Sequence, residues 1–149
     1  MIIKLEQDLT CTDMEVTIKY GRDKENLQRI IKLLKSVTIQ IKCEKDGTET
    51  MVNSSDIYYI ESVDKQTFIY LEKAVYRTDF RLYQLIEQLS KYGFVQISKS
   101  CILNIHYMDS IKPLFNSRME ATLKNGERVY INRKYLGDVK QVLRGETSI

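Results

Sequence analysis

The sequence predicts a mainly β protein of the α+β class, with antiparallel strands and about three short helices. Apolar and aromatic residues alternate with polar ones along most of the chain, which is typical of half-buried strands. Asp46-Gly47 and Asn125-Gly126 separate pairs of such segments, and both dipeptides favour the tight turn of a β-hairpin. Only three segments repeat their apolar residues every three or four positions, as a helix with one buried face does.

The N-terminal part of the chain predicts two strands and a helix. Met1–Gln7 and Met14–Tyr20 have the apolar alternation of strands. Asp23 is suited to cap a helix over Lys24–Lys35. Four apolar residues form one stripe along this helix: Leu27, Ile30, Ile31 and Leu34. We expect that stripe to pack on a sheet.

The middle of the chain predicts five strands and a second helix. The strands are expected at Thr38–Glu44, Thr50–Asn53, Asp56–Ser62, Thr67–Leu71 and Ala74–Arg77. Asp79 can cap the helix that follows, and Gly93 is placed to end it. The buried stripe of this helix is expected to consist of Leu82, Leu85, Ile86 and Leu89.

The C-terminal third predicts three more strands and a last helix. The strands are expected at Met108–Phe115, Met119–Leu123 and Arg128–Ile131, and the helix at Arg133–Leu143. Pro113 lies within the first of these strands and has no amide hydrogen to donate. It therefore predicts an edge strand or a bulge.

Length and charge restrict the class of protein. The 149 residues suit one domain, or one domain with a small appendage. No segment has the apolar length of a signal peptide or a membrane span, so we expect a cytoplasmic protein. Residues 1–90 contain 13 basic and 15 acidic residues, whereas residues 91–149 contain 10 and 5. The basic excess in the last third is typical of a surface that binds a polyanion.

The sequence offers little for catalysis. His106 is the single histidine, and neither a nucleophile motif nor a glycine-rich phosphate loop accompanies it. Cys11, Cys43 and Cys101 are odd in number and widely spaced, which argues against a disulfide framework or a zinc site. Each thiol is expected to act as a small buried hydrophobe, and a redox role is left open for Cys101. We expect no enzyme, no cofactor and no metal site.

The most informative segment runs from Gly93 to Asn104 and reads GFVQISKSCILN. Ser98, Lys99 and Ser100 form its polar centre, between apolar flanks that anchor the segment in a core. Hydroxyl and ammonium groups at the tip of a loop suit phosphate oxygens and base edges. A second polar group, Asn132-Arg133-Lys134, lies near the C-terminus.

Six segments occur in an informative order: Asp56–Ser62, Arg81–Leu89, Phe94–Asn104, Met108–Ile111, Arg118–Glu127 and Ile131–Leu136. In that order they resemble the LytTR DNA-binding domain of bacterial transcription regulators. The resemblance implies a stack of small antiparallel sheets over residues 56–149, preceded by a strand and helix extension over residues 1–55. It also implies double-stranded DNA as the partner, commonly as paired repeats, with loops inserted into successive major grooves.

By this resemblance, three loops would form a face that reads DNA. The implied contacts are Asp64, Lys65 and Thr67 from the turn after Glu61, Ser98, Lys99 and Ser100 from the central segment, and Asn132, Arg133 and Lys134 from the C-terminal turn. Arg133 can reach guanine O6 and N7 together, and Lys99 suits guanine or a phosphate. Ser98, Ser100 and Lys134 suit contacts to the DNA backbone. Asn104 lies among apolar neighbours and is expected to be a structural hydrogen-bonding residue.

The sequence departs from the family pattern at two positions. Asn132 stands where the closing pattern usually has serine, and Lys134 replaces its second arginine, which removes a planar guanidinium. Residues 1–55 do not resemble a receiver domain, so control by phosphoryl transfer is not implied. They could instead join two protomers in a homodimer.

The leading prediction is a stand-alone, sequence-specific transcription regulator. The alternative is a protein-interaction or dimerisation module that keeps the fold without binding DNA. A third interpretation, a small-ligand sensor, is suggested only by the ten tyrosines, which suit core and sheet positions better.

Overall fold

The computed structural model describes residues 1–11, 14–22, 24–35 and 38–144. The helices in this part of the chain are α1 (Lys24–Lys35), α2 (Leu82–Leu89) and α3 (Leu136–Leu143). The strands are β1 (Gln40–Lys45), β2 (Thr48–Asn53), β3 (Tyr59–Val63), β4 (Gln66–Tyr70), β5 (Val75–Thr78), β6 (Phe94–Ser98), β7 (Cys101–Asn104), β8 (Met108–Pro113), β9 (Met119–Leu123) and β10 (Arg128–Ile131). A mainly β fold with three short helices confirms the predicted class.

Seven strands form one antiparallel sheet in the order β2-β1-β5-β4-β3-β7-β6. Asp46 and Gly47 join β1 to β2 with φ angles of 52° and 78°. A two-residue turn of type I′ needs positive φ at both central positions, which explains the Asp-Gly pair. Although β1 precedes residue 56, it pairs with β5 through Glu44 and Arg77. The first hairpin is therefore part of the same sheet as the later strands.

Three strands form a second, smaller sheet in the order β10-β9-β8. β8 is an edge strand of this sheet, which confirms the prediction made from Pro113. Pro113 pairs with Met119, and Met119 pairs with Ile131. The ends of the three strands thus lie abreast at these residues.

Two hydrophobic cores meet the β6–β7 hairpin from opposite faces. Ile102 belongs to the first core and the next residue, Leu103, to the second, because successive side chains of a strand point to opposite sides. α2 contributes Leu85 to the first core, and α3 contributes Val139 to the second. The hairpin is therefore held on both faces, which positions the turn at its end.

The two strands predicted at Met1–Gln7 and Met14–Tyr20 do not form. Their apolar side chains are exposed, Ile3 to 73% and Met14 to 88%. An extended segment becomes a strand only when a neighbour takes up its backbone hydrogen bonds. In the described part of the chain, neither segment pairs with a strand of the two sheets.

The helices differ from expectation in their starts and their packing. α1 has the predicted bounds, but its apolar stripe is only half-buried, and Asp23 lies outside the described residues. Arg81 rather than Asp79 is the N-cap of α2, and its backbone N–H donates to the Gln84 side chain at 2.9 Å. A 3₁₀ turn precedes α3, so the last helix begins three residues later than predicted. No helix in the described ranges is long and apolar enough to cross a bilayer.

Candidate nucleic-acid interface

The turn between β3 and β4 places Lys65 at its tip. Asp64 and Lys65 both have positive φ, 51° and 65°, which is uncommon for residues other than glycine. The Arg81 side chain donates a hydrogen bond from Nη1 to the carbonyl oxygen of Lys65 at 2.8 Å. Arg81 therefore holds the strained turn in place while the Lys65 ammonium remains exposed.

The turn between β6 and β7 contains Ser98, Lys99 and Ser100. The register of this hairpin shifts between Gln96 and Ser98, a bulge of the kind that re-aims a strand end. The Ser100 N–H donates to Ser98 Oγ at 3.2 Å, which closes the turn on itself. Lys99 and Ser100 are exposed and Ser98 is half-buried. Lys99 thus projects from a turn that its two neighbouring serines define.

The third loop follows β10. Arg133 and Lys134 are exposed on the 3₁₀ turn before α3, and Asn132 is half-buried. The Lys134 ammonium lies 5.6 Å from the centre of the Tyr135 ring, a cation–π distance. Arg133 is therefore the more available of the two cations.

Two backbone hydrogen bonds join the three loops. The Ser62 N–H donates to the Ser100 carbonyl at 2.8 Å, next to the turn that contains Lys65. The Asn132 N–H donates to the Ile97 carbonyl at 2.9 Å, next to the turn that contains Lys99. The loops consequently lie side by side. We call this the cationic edge, formed by the loops of Lys65, Lys99, Arg133 and Lys134.

The cations of this edge are free of internal neutralisation. Within the described ranges, Lys65, Lys99 and Arg133 make no ion pair. By contrast, Lys112 and Arg128 on the small sheet each lie within 4 Å of Glu120, at 3.6 and 3.8 Å. Lys65, Lys99 and Arg133 therefore keep their charge available to an anion.

One residue assigned to the face does not reach it. Thr67 is 2% exposed and lies in β4, two residues before the buried Ile69. Since residues two apart share a face of a strand, the Thr67 side chain points into the core. The Thr67 side chain offers no surface to DNA, so the contact predicted for it is wrong.

Asn104 and Cys101, both in the central segment, have structural surroundings. Asn104 is 2% exposed, its Nδ2 donates to the Ile57 carbonyl at 2.8 Å, and its Oδ1 accepts from the His106 N–H. This confirms it as a structural hydrogen-bonding residue. Burial, with Glu61 nearby, raises the pKa of the Cys101 thiol to about 12. A thiol that stays protonated at neutral pH is a poor redox nucleophile.

Two features of this region were not predicted. Arg81 supports the turn of Lys65 although the two residues are 16 apart in sequence. The sequence pointed to Arg81 only as the first residue of the segment Arg81–Leu89. The turn after Pro113 leaves the small sheet at the same end as Asn132, because Pro113, Met119 and Ile131 lie abreast. Among the described residues, no three side chains of His, Cys, Asp or Glu are grouped as metal ligands.

Comparison with known families identifies the fold. A family model of the LytTr DNA-binding domain matches residues 48–144. The chain belongs to this family. A solved LytTr DNA-binding domain from Bacillus cereus has a TM-score of 0.66 at 24% identity, and the match covers 70% of this chain and 95% of that domain. The stack of small antiparallel sheets expected from the resemblance is thereby confirmed.

LytTr relatives with curated names differ in length. The sensory transduction protein LytT of Bacillus cereus is 27% identical over 131 residues, which cover 85% of this chain and 53% of LytT. An uncharacterized HTH-type transcriptional regulator of Staphylococcus aureus is 27% identical over 136 residues, which cover 89% of this chain and 90% of that protein. The chain thus spans about half the length of LytT and most of the staphylococcal regulator. Membership of this family confirms that the chain is not an enzyme.

Proposed function

We propose that this protein is a sequence-specific transcription regulator whose cationic edge reads the major grooves of double-stranded DNA. The observation that carries the proposal is the junction of three loops, each with an exposed cation, through two backbone hydrogen bonds. An array of exposed cations complements the negative charge of a duplex, and an arginine among them can reach base edges in the major groove. A regulator of this kind would act in the cytoplasm, where bacterial DNA lies.

Each loop has a role that follows from its chemistry. Arg133 is exposed and planar, so it suits the O6 and N7 acceptors of guanine. Lys99 and Lys65 project from turns and suit guanine or a phosphate. Ser98 and Ser100 have hydroxyls beside Lys99, and Lys134 has a charge beside Arg133, all suited to the DNA backbone. Asn132 is half-buried and acts mainly by fixing the third loop through its N–H.

We further propose that two protomers occupy paired repeats and that residues 1–35 form the dimer contact. These residues present apolar side chains that are largely exposed, among them Leu5 at 94% and Leu9 at 87%. β1 and β2 belong to the large sheet, so we place the extension before them rather than at residue 55. A second copy would bury these apolar side chains and remove them from water.

The direct test is selection of bound sequences from a random duplex library, followed by fluorescence anisotropy with the recovered site. We expect the affinity to fall with salt at a log–log slope of about −0.9 for each phosphate neutralised. Arg133→Ala should cost about 1–3 kcal/mol of binding free energy and relax one base position. Lys99→Ala should weaken binding as well.

Lys73→Ala is the matched control. Lys73 is exposed in the turn between β4 and β5, at the opposite end of β4 from Lys65. Its loss should leave affinity close to wild type. Recovery of no preferred sequence, with association that is insensitive to salt, would instead support the interaction module that keeps the fold without binding DNA.

A further inference from the structure

The turn between β8 and β9 presents an aromatic ring to solvent. Phe115 is 93% exposed, compared with 70% for Tyr83. A single exposed apolar residue is ordinary on a protein surface. The position of Phe115 relative to the cationic edge is what makes it informative.

The register of the small sheet places this turn beside the third loop. Pro113 pairs with Met119 and Met119 with Ile131, so β8 and β10 end at the same level. Neighbouring strands are about 4.8 Å apart, which separates the ends of these two outer strands by about 10 Å. Residues 114–118 therefore leave the sheet about 10 Å from Asn132, on the end where the cationic edge lies.

The turn has a defined conformation. The Leu114 N–H donates to the Arg118 carbonyl at 2.8 Å, which closes the turn at its base. Asn116 and Ser117 have positive φ angles of 64° and 59°, so the chain reverses sharply just after Phe115. The Arg118 guanidinium lies 5.4 Å from the centre of the Tyr130 ring. A closed turn offers the Phe115 ring to a partner at a small cost in conformational entropy.

We propose that residues 114–118 form a fourth DNA-binding loop, in which the Phe115 ring enters a groove of the duplex next to the site contacted by Arg133. The proposal rests on the proposed function. An apolar ring has two suitable surfaces there, the methyl group of thymine and the edge of a partly unstacked base step. Arg118, three residues after Phe115, adds a positive charge to this turn, which favours a nucleic acid over a second apolar protein surface.

The test compares three variants on one selected duplex by anisotropy over a series of salt concentrations. Phe115→Ala should lower the affinity about tenfold while leaving the salt slope unchanged, because it removes an apolar contact. Arg118→Ala should reduce the slope by about 1 if it neutralises a phosphate. Val75→Ala is the control, since Val75 is 44% exposed and pairs with Tyr70 at the end of β4 away from Lys65.

Further outcomes distinguish a failed fourth loop from a failed regulator. Binding by Phe115→Ala within about twofold of wild type, while Arg133→Ala shows its expected loss of about 1–3 kcal/mol, would overturn the fourth loop and leave the regulator intact. A defect seen on paired repeats but absent on a single repeat would also overturn it, because Phe115 would then contact the neighbouring protomer. Crosslinking of the peptide that contains Phe115 to DNA substituted with 5-iodouracil would support the groove contact. Unchanged circular dichroism and melting of Phe115→Ala would exclude a folding defect.

Discussion

Both ends of the β6–β7 hairpin carry polar residues, which are exposed at one end and buried at the other. At one end Lys99 and Ser100 are exposed in a turn. At the other end the Asn104 side chain bonds the Ile57 carbonyl and the His106 N–H, and Ile105 donates its N–H to the Gly93 carbonyl at 2.9 Å. Polar groups at the first end are available to a ligand, whereas those at the second end are used in folding. Polarity within one motif therefore does not by itself mark a binding residue.

Among the substitutions that test this contrast, the replacement of Asn104 should have the largest effect on the free energy of unfolding. Asn104→Ala leaves the Ile57 carbonyl without its partner in a buried site, and we expect about 3 kcal/mol of lost unfolding free energy. Urea denaturation followed by circular dichroism measures it. Asn125→Ala is the control, because Asn125 also bonds through both side-chain atoms, to Glu72 and Glu127, but at an exposed site. Equal costs for the two substitutions would remove the distinction between the ends.

Gly93 lies at the same end of the hairpin as Asn104 and provides a second test of the comparison. Gly93 has a φ of 84°, and a Cβ there would lie 2.5 Å from His106 Nε2. Gly93→Ala should cost about 2 kcal/mol, from the left-handed backbone and the clash together. Gly126→Ala isolates the backbone contribution, since Gly126 has a φ of 89° and an added Cβ would meet nothing within 4 Å.

Thermal melting of these variants separates the two contributions. The cost at Gly93 should exceed the cost at Gly126 by the contribution of the clash. Replacing His106 with alanine in the Gly93→Ala background should recover that excess. No recovery would mean that the imidazole does not restrict position 93.

The smallest effect on stability is expected for Lys65, in the β3–β4 turn next to the exposed end of the hairpin. Lys65 has a φ of 65° without being glycine. Lys65→Gly should relieve the strain and raise stability by about 0.5 kcal/mol, whereas Lys65→Ala keeps the strain and should be neutral. Both variants should weaken DNA binding to the same extent, as measured by anisotropy. A glycine variant that is less stable than the alanine variant would show that the turn is not strained.

Local signals in the sequence accounted for most of the sheet. Asp46-Gly47 and Asn125-Gly126 marked two hairpins correctly, and Pro113 marked an edge strand. The two N-terminal strands were predicted wrongly because alternation reports a segment's suitability for pairing and not the presence of a partner. Within Thr67–Leu71, the same alternation placed Thr67 on the face of Ile69, so its burial could have been recognised.

The candidate site depended more on contacts that are distant in sequence. The motif order indicated the three loops, because each adjoins recognisable strands. The bond from Arg81 to Lys65 depends on the start of α2 lying beside the β3–β4 turn, and Pro113 and Ile131 lie at one level because both pair with Met119. Neither arrangement could be derived from local residue types, so these features emerged only from the fold.

The hydrogen bond from the Asn132 N–H to the Ile97 carbonyl has a consequence for the DNA. It ties the small sheet to the large one close to both Lys99 and Arg133, so main-chain atoms fix the spacing between the two turns that carry these side chains. One base pair advances about 3.4 Å along the duplex and turns it by about 36°. In the proposed mode of binding, a target lengthened by one base pair between the positions contacted by Lys99 and Arg133 would satisfy only one of these side chains, so the protein would select targets by the spacing of the two positions.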